Sequence, residues 1–131
     1  MIPVHGREGA ILSIARVMIA LLFLQHAMQK SFGFPAPYPF GPVTPVSLVG
    51  LAAAIEMVGG LLLLFGAWTR AAAFVLSGQM AVAYFLAHGL HGFYPILNGG
   101  ELAALYCFTF LLLTVVGGGR WSVDSLRASD R

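Results

Sequence analysis

Among the side chains that interrupt otherwise apolar sequence with a charge, a titratable ring or an amide, nine are candidates for chemistry: Arg16, His26, Lys30, Glu56, Gln79, His88, Asn98, Glu101 and Tyr106. A charge at the centre of a bilayer costs about 2.5–3.5 kcal/mol on insertion scales, so such groups face the interior of a helical assembly and find partners. His26 and Lys30 are four residues apart, which on a helix puts them on one face. Tyr84 and His88 share a face in the same way. His26 and His88 are the candidate proton exchangers, because imidazole titrates near neutrality. A quinone suits that chemistry: its carbonyls accept hydrogen bonds and its reduction consumes protons. Lys30, Glu56, Gln79, Asn98, Glu101 and Tyr106 are the side chains placed to surround such a ligand.

Each of these residues also has a plainer reading. Arg16 and Glu56 could form an ion pair that only locks two helices, since polar residues act as packing glue in membranes. Lys30 or a histidine could serve as the partner of Glu56 instead. Asn98 followed by Glu101 resembles a capping box at a helix start. His91 reads as an interfacial ring satisfied by water. Met18, Met28, Met57 and Met80 suit irregular packing gaps. The single cysteine, Cys107, can form no internal disulfide, no CxxC pair and no multi-thiolate metal site. No metal is expected. His26 and His88, read at similar depth on different helices, leave bis-histidine haem ligation as a lesser alternative.

The elements that must hold these residues follow from hydropathy. Of 131 residues, 59% are hydrophobic and 9% charged, against roughly 45–50% apolar in soluble domains; the mean hydropathy is +0.87. A spanning helix takes about 20 apolar residues. Spans are expected at about 9–30, 46–65, 71–90 and 99–116, in one domain covering 1–131. The first is long for a signal-peptide core and lacks a small-residue cleavage site after it, so it reads as a retained helix. Residues 31–45 hold five of the seven prolines, which block helix and make an extended loop. Phe32, Phe34, Tyr38 and Phe40 favour the headgroup region for that loop. Short turns between the other spans imply antiparallel neighbours. The expected fold is all-α, an integral membrane antiparallel four-helix bundle with a charged tail at 120–131.

Orientation follows from charge. Arg7, Arg70, Arg120, Arg127 and Arg131 fall on one side and Lys30 on the other. The positive-inside rule places both termini in the cytoplasm. A net charge of +2, without a basic run, excludes a nucleic-acid surface. The absence of paired broken helices and of a polar stripe along a span argues against a transporter or channel. Most of the polar residues converge on the outer half of the bundle, so a polar outer pocket beneath the proline-rich loop is expected.

Several of these pieces, in order, resemble the DoxX family of small four-helix bacterial membrane proteins. They are Arg16, His26-Ala27-Met28-Gln29-Lys30, Glu56-Met57-Val58-Gly59-Gly60, Gly66-Ala67-Trp68-Thr69-Arg70, Met80 through His88, Asn98-Gly99-Gly100-Glu101 and Tyr106. The resemblance covers about residues 9–126. It departs after His26, where the family often has Gly and this chain has Ala27. It implies a protein of the bacterial inner membrane linked to redox metabolism; some relatives are membrane subunits of thiosulfate:quinone oxidoreductases. On that basis the expected role is a quinone-linked redox subunit, with electrons from a soluble enzyme partner or a small reductant. A non-enzymatic scaffold, binding a lipid-like molecule or recruiting a soluble protein through its tail, is the alternative, and a homo-oligomer is compatible with either.

Overall fold

The computed structural model describes residues 6–131. The flank read from Met1–Arg7 is therefore described only from Gly6 onward. The described residues form six α-helices: α1 (Arg7–Phe32), α2 (Leu48–Phe65), α3 (Thr69–Ala87), α4 (Pro95–Asn98), α5 (Glu101–Val116) and α6 (Val123–Ser129), with a 3-10 turn at Gly89–His91 after α3. The described residues contain no strand. Three segments are long and apolar enough to cross a membrane: α1, α2 and Thr69–His91. The fourth expected span is shorter, the 16 residues of α5, because its outer end breaks at Gly99 and Gly100 into the single turn of α4.

The boundaries have local causes. Gly33 takes a left-handed conformation at φ 63° and ends α1, its N–H donating to the Gln29 carbonyl at 3.0 Å; glycine reaches that conformation without the Cβ penalty. Ser47 caps α2 by accepting the Gly50 N–H at 3.0 Å, as a serine N-cap does. The proline-rich segment between them is non-helical, as its prolines require.

Packing runs α1 on α2, α2 on α3, and α3 on α5. Gly59 and Gly60 allow the first two contacts: a Cβ on Gly60 would lie 2.6 Å from Leu24, and one on Gly59 2.8 Å from Leu76. Small residues at helix interfaces let membrane helices approach closely. Aromatic rings bring α1 to α5. Phe23 meets Phe110 edge-on at 4.9 Å and Tyr106 at 5.2 Å. Ala20, Leu63, Ala73, Leu76 and Leu113 fill the rest of the core. The outward faces are equally apolar, with Ile11, Leu22, Phe74, Val82, Phe108 and Leu112 exposed. Such a surface is what hydrocarbon solvates, since the helices satisfy their own backbone groups.

Candidate functional site

Helix length decides where the charges meet. Arg16 lies level with the C-terminal end of α2: a Cβ on Gly66 would collide with its guanidinium. Glu56 is ten residues before Gly66, about 15 Å toward the N-terminal end of α2 at 1.5 Å per residue. The Arg16–Glu56 ion pair considered from the sequence is therefore not formed. Counting depth from each helix start fails because α1, at 26 residues, outruns α2, at 18. Arg16 instead donates to the carbonyls of Gly118 at 2.6 Å and Trp121 at 2.9 Å.

Glu56 pairs with Lys30. Lys30 Nζ lies 2.7 Å from Glu56 Oε1. Gln79 Nε2 donates to the same oxygen at 2.9 Å and lies 3.4 Å from the Ala52 carbonyl. Three helices thus contribute one residue each to a polar knot in the apolar interior. Glu56 is 1% exposed and the Lys30 side chain 16%. Two acceptors of the knot, Glu56 Oε2 and Gln79 Oε1, are buried without a hydrogen-bond partner. His26, half-buried, lies one helical turn inward of Lys30 on the same face. Its ring meets Tyr106 at 5.9 Å and Phe23 at 6.5 Å.

His88 belongs to a second group. Its Nδ1 lies 3.2 Å from the Asn98 carbonyl. Asn98 Nδ2 donates to Tyr84 Oη and to the Gly92 carbonyl, both at 3.0 Å, and Asn98 Oδ1 accepts the Gly100 N–H at 2.8 Å. Gly100 is packed so tightly here that a Cβ would lie 2.6 Å from the Tyr84 ring. Asn98 thus organises the break before α5; the N-cap of α5 is Gly100, without a side-chain cap, so the capping-box reading of Asn98 and Glu101 does not hold. Glu101 is exposed, beside a shallow depression lined by Pro95, Ile96, Gly99, Leu102 and Leu105. The hydrogen bonds and ring contacts of these residues thus form three sets: Lys30–Glu56–Gln79, the rings of Phe23, His26 and Tyr106, and Tyr84–His88–Asn98. His26 stands at the level of Tyr106 and His88 at that of Gly100, six residues or about 9 Å apart along α5. The equal depth read from the sequence is corrected accordingly. Among the described residues no three His, Cys, Asp or Glu side chains cluster as metal ligands would.

The inner end holds a network that sequence reasoning missed. Ser13 Oγ donates to the Gly9 carbonyl and accepts the Trp121 N–H. Asp124 accepts from the N–H groups of Trp68 and Thr69, at 2.8 and 2.9 Å, at the start of α3. Its own N–H donates to the Gly66 carbonyl at 2.9 Å. Arg70 donates to the Thr114 and Val115 carbonyls at the end of α5, and Arg127 stacks 4.2 Å above the Trp68 ring. The charged tail at 120–131 forms the short helix α6 and is tied into the molecule by these contacts. Ser122, which caps α6 through the Ser125 N–H, followed by Asp124 in the first turn, was the available signal.

An all-helical fold with segments of spanning length, an apolar exterior and the mid-span charges Arg16 and Glu56 buried defines a helical membrane protein. A family model described as DoxX matches residues 11–89; the chain belongs to that family. The matched span ends before Asn98, so the α5 part of the resemblance rests on longer relatives. An uncharacterized protein of Haemophilus influenzae is 41% identical over 120 residues, covering 87% of this chain and 88% of its own. A second from the same organism is 30% identical over 127 residues, covering 91% and 84%. The inner membrane protein YqjF of Escherichia coli is 28% identical over 124 residues, covering 86% and 88%. No solved structure matches the chain.

Proposed function

We propose that this chain is a multi-pass membrane subunit that binds a quinone, or a similar lipid-soluble ligand, at the knot of Lys30, Glu56 and Gln79. One observation carries the reading: Glu56, 1% exposed, keeps an oxygen without a partner inside the apolar interior. A buried polar group left unpaired costs on the order of 1–3 kcal/mol, and an ionisable residue inside a membrane span marks a functional site by default. The ammonium of Lys30 carries three donors, one of them directed at Glu56. The remaining two suit a ligand oxygen. His26 is the proton-exchanging group, flanked by the rings of Phe23 and Tyr106. His88 braces the outer turn through Asn98. The chain supplies the binding step, and electrons come from a soluble partner enzyme or a small reductant.

In this reading α1, α2, α3 and α5 form a four-span bundle in the inner membrane, the location that YqjF carries in its name. Arg70, Arg120 and Arg127 gather at one end and Lys30 stands at the other, which places the tail in the cytoplasm by the positive-inside rule. The test of the ligand reading is calorimetric titration of detergent-purified protein with a short-chain quinone. The paired Glu56→Leu/Lys30→Met variant, neutral in sum, should bind at least about tenfold more weakly, the loss of roughly one charge-assisted hydrogen bond. Equal affinity in a folded variant would remove the site.

A further inference from the structure

We infer that the Glu56 site is built for a ligand that donates hydrogen bonds, so that the reduced, hydroxyl-bearing form of a quinone-type molecule is the one it holds; this rests on the ligand reading above. The two donors that reach the carboxylate converge on one of its atoms. Lys30 Nζ and Gln79 Nε2 both reach Glu56 Oε1, at 2.7 and 2.9 Å. Glu56 Oε2 and Gln79 Oε1 are left buried with no donor. An ionised carboxylate and an amide oxygen only accept. A quinone carbonyl, which also only accepts, leaves both atoms unpaired. A hydroquinone O–H supplies the missing proton, and its oxygen can still accept from Lys30.

Charge narrows the ligand further. Lys30 and Glu56 cancel, so the knot carries no net charge to draw in an anion, and an anion at the unpaired Glu56 Oε2 would face the carboxylate itself. A neutral molecule with at least one hydroxyl fits. His26, one helical turn from Lys30 on the same face of α1, packs its ring against Tyr106 and Phe23, and such rings suit an aromatic ligand because aromatic pairs favour edge-on and offset contacts.

Three ligands of one shape decide the matter: a short-chain hydroquinone, its quinone, and its dimethyl ether, which is reduced yet has no donor. They are titrated anaerobically against the wild-type protein in detergent. The hydroquinone should bind at least about tenfold more tightly than the other two, because a site made to pair a hydroxyl rejects the analogue that lacks it. In Glu56→Leu/Lys30→Met the three should bind alike. Equal or tighter binding of the quinone or the ether by wild type overturns this inference and leaves the ligand site standing. If none of the three binds, the ligand reading falls with it. Should the variant fail to fold, the wild-type series alone still separates these outcomes.

Discussion

Glu56 and Lys30 are worth more as a pair than either is alone. Removing one partner of a buried ion pair leaves the other charge uncompensated and costs about 3–5 kcal/mol, whereas replacing both with apolar residues is often close to neutral. Lys30→Met should therefore lower the thermal stability of the purified protein more than Lys30→Met combined with Glu56→Leu. Additive losses in that double-mutant cycle would mean that the 2.7 Å contact does not couple the two residues. The two histidines make a different forecast. His26 meets Tyr106 edge-on and His88 bonds to Asn98, about 9 Å apart along α5, so a pyridine haemochrome assay should find no haem. A stoichiometric haem signal would restore the bis-histidine reading. The sequence made the polar residues easy to pick out, because each interrupts an apolar run. It did not reveal their partners. Partnership depends on how far α1 extends beyond α2, an offset that no spacing within one helix encodes.

The short connections do more than reverse the chain. At the turn between α2 and α3, Gly66 has φ 68° and faces the Arg16 guanidinium at its inner side. Gly66→Ala should cost more than about 3 kcal/mol, since it adds a Cβ penalty to a displaced buried charge. Beside it, Asp124 accepts two N–H groups at the start of α3. Asp124→Ala should cost about 1–2 kcal/mol, the value of a lost cap, with Asp124→Asn recovering part of it. Chemical unfolding in detergent measures both. The helices themselves were legible, because four apolar runs separated by proline and glycine admit little else. The break before α5 was less so: Asn98-Gly99-Gly100 reads as a simple helix start, yet Asn98 there bonds Tyr84, Gly92 and Gly100.

At the scale of the molecule, the polar interior divides into the Glu56 knot, which keeps open acceptors, and the end knotted to the tail, where Arg16 Nε and Thr69 Oγ1 are also without partners. Asymmetric charge should orient it. A cysteine introduced at Ser129, in a Cys107→Ala background, should react with an impermeant maleimide in inside-out vesicles and not in intact cells; the reverse pattern would invert the topology. The tail was the least legible part, because its contacts link residues more than a hundred positions apart and its composition resembles an ordinary charged end. Those separations, 102 residues from Arg16 to Gly118 and 105 to Trp121, bear on biosynthesis. α1 enters the membrane early in translation, carrying a guanidinium whose final partners do not yet exist. Until Gly118 and Trp121 emerge from the ribosome, Arg16 must borrow water or lipid phosphate at the bilayer edge. The first helix therefore reaches its resting depth only after the distal segment arrives, so a nascent chain stalled before that point presents an unsettled first helix to the quality-control machinery of the membrane.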